Sequence, residues 1–185
     1  GVALLAGDAL LISAFELVTM AEIDAALRVQ IVRELAREVG VKGLITGQMV
    51  DIESEGKKVD KKTLNYIHEN KTARLINLSL RFGAIAGGAP ADELALIEEY
   101  GNLIGLVFQI VDDLLDIEGS QEELGKSIGK DANVEKATFP AVYGIEESRL
   151  KAAELTEKAR QVISPLGKKA LKLDILAEYL LTRMS

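Results

Sequence analysis

Leu103-Ile104-Gly105-Leu106-Val107-Phe108-Gln109-Ile110-Val111-Asp112-Asp113-Leu114-Leu115-Asp116-Ile117 is the stretch on which the reading of the fold turns. It is an apolar helical run broken by three aspartates, Asp112, Asp113 and Asp116, and by no basic residue. At 3.6 residues per turn, Asp112 and Asp116 lie one turn apart on one face, with Asp113 beside them. Like charges at that spacing destabilise a helix by roughly 0.2–0.5 kcal/mol per pair, and carboxylates in apolar surroundings cost far more without a partner. An all-oxygen cluster with no Cys or His suits a hard cation. Magnesium takes one or two carboxylates and completes its shell with water and phosphate oxygens, so the expected ligand is a magnesium-bound phosphate ester. The plain alternative is a solvated acidic stripe at a helix end. Gln109 weighs against it, being a further polar group on the same face whose amide needs partners if buried.

Working outward, a chain of 185 residues can form a single core, burying roughly 70% of its unfolded-chain surface. One domain over residues 1–185 is expected. Hydrophobic residues at 48%, only three prolines and 4% aromatics favour helices over sheets. Apolar residues recur at three and four over 4–18, 23–39, 64–85, 94–117, 150–163 and 171–181, which predicts six or more helices. Asp60 is the N-cap of one, Gly40 closes another, and Gly87-Gly88 with Pro90 separates two long ones. The aspartate helix is predicted to end at Glu118-Gly119-Ser120. Residues 119–137 then read as a long flexible loop of the kind used for binding, and this one carries Lys126, Lys130 and Lys136.

Several functions are set aside by composition. No cysteine is present, so neither disulfides nor a thiolate metal site can form, and a cytoplasmic location is expected. A net charge of −7 argues against nucleic-acid binding, which needs a basic surface. The longest uncharged stretch, 100–111, is too short to span a bilayer, and no membrane span is expected. No secretory signal or internal repeat is visible.

Residues 108–116 resemble the second aspartate-rich motif of the trans-prenyl diphosphate synthases, the family that includes farnesyl and geranylgeranyl diphosphate synthases. Gly7-Asp8-Ala9-Leu10-Leu11 resembles the family's segment after its first aspartate-rich motif, and Gly47-Gln48-Met49-Val50-Asp51 its glycine-glutamine-x-x-aspartate helix. Lys71-Thr72 resembles its lysine-threonine pair. Gly125-Lys126 and Gly129-Lys130-Asp131 resemble the loop after the second motif, and Lys136-Ala137-Thr138-Phe139-Pro140 its end. The resemblance runs from about residue 1 to residue 144.

That resemblance implies an all-α, isoprenoid synthase-type helical bundle around a central apolar cavity, and a head-to-tail prenyl transfer in which isopentenyl diphosphate attacks an allylic diphosphate ionised with the help of magnesium. Asp112 and Asp116 would be magnesium ligands, with Asp113 assisting directly or through water. Lys71, Lys126 and Lys136 would bind the allylic diphosphate, and Thr72 and Gln109 would orient it or steady the cation. Gln48 and Asp51 share a helix face and read equally well as contacts to substrate or to the metal's water shell, or as a buried helix-to-helix hydrogen bond. His68, the sole histidine, reads as structural, and Phe15, Phe82 and Phe108 as core. A homodimer is the family habit.

The chain starts at Gly1 inside an apolar pattern, and the family's first aspartate-rich motif and its isopentenyl diphosphate-binding residues do not occur in it. The N-terminal helices of the bundle are accordingly expected to be missing, and this polypeptide alone to condense the two diphosphates slowly or not at all. Two other readings follow from the same residues. A class I terpene cyclase would share the fold, but its asparagine-serine/threonine-glutamate pattern does not follow Asp116. A non-catalytic or half-site subunit would pair with another synthase.

Overall fold

The computed structural model describes residues 1–124 and 137–183, over 118–124 by backbone alone, and every regular element among them is helical. In chain order these are α1 (Val2–Met20), α2 (Ala25–Val39), α3 (Leu44–Ser54) and α4 (Lys61–His68). A π-helical turn, Glu69–Ala73, carries α4 into α5 (Arg74–Ala86). Then come α6 (Ala91–Leu124), α7 (Phe139–Tyr143), α8 (Ile145–Ile163), a 3-10 stretch Ser164–Ala170 and α9 (Leu171–Thr182). The all-α expectation holds.

Local signals act where the sequence has them. The Asp60 carboxylate accepts the Thr63 N–H at 2.8 Å and caps α4, while Asp24 accepts the N–H groups of Ala26 and Leu27 and caps α2. Gly40 closes α2 and Gly87 closes α5, with Gly88 at φ +73°, a conformation that favours glycine. Asp92 and Glu93 occupy the first turn of α6, where the helix dipole favours negative charge.

α6 is the axis of the main core. Tyr100, Ile104, Val107, Ile110, Val111 and Leu114 are all buried, covered by Leu64 and Ile67 of α4, Ala152, Leu155, Ala159 and Ile163 of α8, and Ala177 and Leu180 of α9. A helix apolar on most faces is a buried helix, and each large side chain so covered contributes roughly 1.5–3 kcal/mol. The Tyr100 hydroxyl donates to the Leu173 carbonyl at 2.7 Å, tying α6 to α9. Burial, followed by the charge of Asp174, pushes that phenol above the ordinary tyrosine range. A smaller cluster of Leu35, Val39 and Leu78, with Ala14, Phe15 and Phe82 against it, joins α1, α2 and α5.

Four expectations are corrected. The run 64–85 is not one helix, because the π turn divides it. The aspartate helix does not stop at 118–120 but continues to Leu124, since one interior glycine costs only about 1 kcal/mol and Gln121-Glu122-Glu123-Leu124 are strong helix formers. Periodicity missed α3, where Gly47 and Thr46 break the apolar spacing, and the five-residue α7. Finally, Val2–Met20 and Ala91–Ile117 are each long and apolar enough to cross a membrane, because isolated charges do not offset their mean hydropathy. The α6 span is half buried in the core, whereas none of α1 is buried. Residues 125–136, with Lys126, Lys130 and Lys136, lie outside the described residues.

Candidate active site

The π turn is held from two sides by backbone that has no side chain. A Cβ on Gly47 of α3 would fall 2.6 Å from the Lys71 nitrogen, and one on Gly105 of α6 would fall 2.5 Å from Cα of Ala73. Only glycine allows both approaches. The buried Asn70 side chain donates from Nδ2 to the Tyr66 carbonyl at 2.8 Å, satisfying backbone where the helical register is disturbed. Lys71 and Thr72 sit within this turn and are aimed by it.

Lys71 Nζ is 2.5 Å from Asp51 Oδ2, and that carboxylate also accepts Gln48 Nε2 at 3.5 Å. Asp51 therefore makes a contact between α3 and the π turn that aligns the lysine, while Gln48 reaches Asp51 within α3. An ammonium has three donors, so Lys71 keeps two for a ligand. Thr72 Oγ1 donates to Gln109 Oε1 at 3.0 Å, joining the π turn to α6.

The three aspartates are not equivalent. Asp112 is half buried, and its carboxyl is held above the usual range by burial first and then by the charges of Asp116 and Asp113; Arg183 and Lys71 act in the opposite direction. A partly desolvated carboxylate crowded by two others is chemically suited to a hard cation. Among the described residues no three His, Cys, Asp or Glu side chains come together as a complete metal cage. Asp112 and Asp116 fit magnesium as the one or two protein carboxylates it takes, with water and phosphate oxygens supplying the rest. Asp113 is placed differently from the expectation that it assists the metal. It is 7% exposed; Oδ1 accepts Gln109 Nε2 at 3.1 Å, and Oδ2 accepts the Phe139 N–H at 2.7 Å and lies 3.2 Å from His68 Nε2. Both of its oxygens are thus engaged by the protein.

The structure therefore brings together Lys71, Thr72, Gln109, Asp112 and Asp113, while Lys126 and Lys136 lie outside the described residues. It adds three groups that the sequence reading did not place here. His68 is next to Asp113; its signal was its position three residues before Lys71 on an otherwise apolar helix face. The Phe139 N–H carries no signal in sequence. Arg183, just past α9, lies with its guanidinium 5.6 Å from the centre of the Phe108 ring and acts electrostatically on Asp112, although nothing near it in sequence suggests this.

A cavity of about 770 Å³ lies between α2, α5 and α6, its lining including Ala73, next to Thr72, and Leu106, one turn before Gln109. The resemblance implies an apolar cavity, but this one is lined mainly by charged and polar side chains. Arg74 pairs with Glu38 at 2.5 Å and Arg81 with Glu34 at 2.7 Å across it.

The family model described as polyprenyl synthetase matches residues 1–172. A geranylgeranyl diphosphate synthase of Cyanophora paradoxa is 41% identical over 98% of this chain and 61% of its own length. The large subunit 2 of a heterodimeric geranylgeranyl pyrophosphate synthase of Arabidopsis thaliana is 46% identical over 87% of this chain and 44% of its own. Among solved structures, a geranyltransferase of Helicobacter pylori complexed with magnesium and isoprenyl diphosphate superposes with a TM-score of 0.77 at 30% identity, covering 98% of this chain and 60% of that one. The chain thus spans about half to three fifths of the relatives it matches. With the match running nearly end to end, and the fold and the aspartate helix agreeing with it, the chain belongs to the polyprenyl synthetase family.

Proposed function

We propose that this chain supplies the second-aspartate-motif side of a prenyltransferase site, in a protein that condenses isopentenyl diphosphate with an allylic diphosphate. The observation that carries the reading is the meeting of two elements, the π turn with Lys71 and Thr72 against the α6 face with Gln109 and Asp112. Magnesium, when bound, would neutralise charge on the diphosphate leaving group. Asp112 and Asp116 would hold it, and Asp113 would hold Gln109. Lys71, aligned by Asp51, would take diphosphate oxygens as a point charge, together with Lys126 and Lys136. The bond from the allylic carbon to oxygen breaks with its electron pair leaving on the diphosphate. Thr72 and Gln109 oxygens then face the positive carbon until the double bond of isopentenyl diphosphate attacks it and a proton is lost, giving a product five carbons longer.

A radiolabelled condensation assay on the protein at its natural length tests this. Asp112→Asn is expected to lower turnover by about a hundred- to a thousandfold, the usual cost of one transition-state charge contact. Turnover within error of wild type would contradict the reading.

The apolar surface of α1 supports a second element of the proposal, assembly as a homodimer. Val2, Leu4, Leu5, Leu10, Ile12 and Leu17 are each at least two-thirds exposed. Such a surface on a helix already packed on α2 through Phe15 is the kind that a second copy covers.

A further inference from the structure

The Gln109 amide can present either end to Thr72, and the end it presents decides the sign of the charge offered to a reacting carbon. Here the oxygen end faces Thr72: Oε1 accepts the Thr72 hydroxyl, while Nε2 donates to Asp113 Oδ1. With its proton given to Gln109, Thr72 Oγ1 has only lone pairs left. The pair therefore offers oxygens without protons, which favour positive charge. A flipped amide would turn N–H toward Thr72 and free its hydroxyl proton, reversing the preference.

Asp113 is what prevents the flip, since a carboxylate can only accept. A carboxylate this buried needs donors on its other oxygen as well. Those are the Phe139 N–H and His68 Nε2. His68 is 1% exposed and stacks on the Phe139 ring, with centroids 5.9 Å apart and planes at 16°, which sets the direction of its edge. Its Nδ1 has no hydrogen-bond partner among the described residues. A bare lone pair there costs less to bury than an orphaned N–H, which assigns the proton to Nε2, facing Asp113.

We infer that His68 is a positioning residue, acting through Asp113 to keep the Gln109 oxygen toward Thr72 so that the site favours positive charge at the reacting carbon of an allylic substrate. The inference rests on the proposed prenyltransferase reading for its substrate, though not for its geometry.

The test compares affinities, with magnesium present, for two allylic diphosphate analogues: one with a protonated amine at the reacting position and its neutral carbon isostere. Wild type is expected to prefer the amine. His68→Phe keeps a ring over Phe139 and removes the donor. It is expected to lower that preference about tenfold, the equivalent of about 1.4 kcal/mol, while the magnesium-dependent affinity for inorganic pyrophosphate stays unchanged. His68→Gln, whose amide nitrogen reaches the place of Nε2, should restore most of the preference. An unchanged preference in His68→Phe, or an equal loss of pyrophosphate affinity, would overturn the inference. Nitrogen-15 NMR of the wild type needs neither variant nor ligand: the proton must reside on His68 Nε2, and a proton on Nδ1 with Nε2 bare contradicts the inference even if the variants fail to fold. Failure of the wild type to bind magnesium pyrophosphate would instead count against the proposed function, with the NMR result still deciding the role of His68.

Discussion

A methyl group on Gly105 would lie within 2.5 Å of the Ala73 backbone, so at this residue packing and function meet. Gly105→Val should cost about 1–3 kcal/mol, the usual range for overpacking. It should also displace the turn that aims Lys71 and Thr72. Urea unfolding measures the first effect and magnesium-dependent pyrophosphate affinity the second; a variant with unaltered midpoint and affinity would show that the close approach is unimportant. At this scale the sequence was readable where a residue's chemistry was out of place in its surroundings. Asp112 and Gln109 stood out in that way, Thr72 only through the family resemblance, and Gln109 meets Thr72 in space. The part played by Asp113 could not be read, because one of its donors is a main-chain N–H beyond residues 125–136 and another is a histidine that looked like core. Gly47 and Gly105 each face a backbone distant in sequence, a relation no local pattern records.

Periodicity serves elements well when apolar residues recur at three and four along the whole length, which is why α1, α2, α6, α8 and α9 were foreseen. It fails where the pattern must serve a site. α3 carries Gly47, Gln48 and Asp51 because that helix must come close to the π turn and reach Lys71, and those needs erase its apolar spacing. The π turn itself is invisible to a rule that assumes 3.6 residues per turn. Pairing of α8 with α9 gives a prediction in pH. Arg160 donates to both oxygens of Asp174, at 2.6 and 3.3 Å. This hydrogen bonding holds the aspartate below its ordinary value. A carboxyl depressed in the folded state stabilises the fold above its unfolded pKa, and the contribution is lost as pH falls through the folded one. Asp174→Asn should therefore be less stable than wild type at neutral pH, the difference shrinking as the pH falls below the ordinary carboxylate range. Parallel thermal-unfolding curves at every pH would contradict this.

For the whole molecule, the all-α class was readable from composition and periodicity and the bundle from the family resemblance, while the surface of α1 was not, because exposure depends on what else packs there. If a second copy covers that surface, Leu10→Glu together with Ile12→Glu should convert a dimer into a monomer in sedimentation equilibrium; wild type sedimenting as a monomer would refute the proposal. At the site itself, Lys71, Thr72, Gln109 and Asp112 should form one magnesium diphosphate site already present in this chain. A thermal-shift titration of the 185-residue chain with pyrophosphate, with and without magnesium, tests it most directly. At a hundredfold excess over Kd, binding adds about 2.7 kcal/mol, or about 5–10 °C in Tm for a chain of this size. That shift should require magnesium and largely vanish in Asp112→Asn, whereas an equal shift in the variant, or one of the same size without magnesium, would contradict the account.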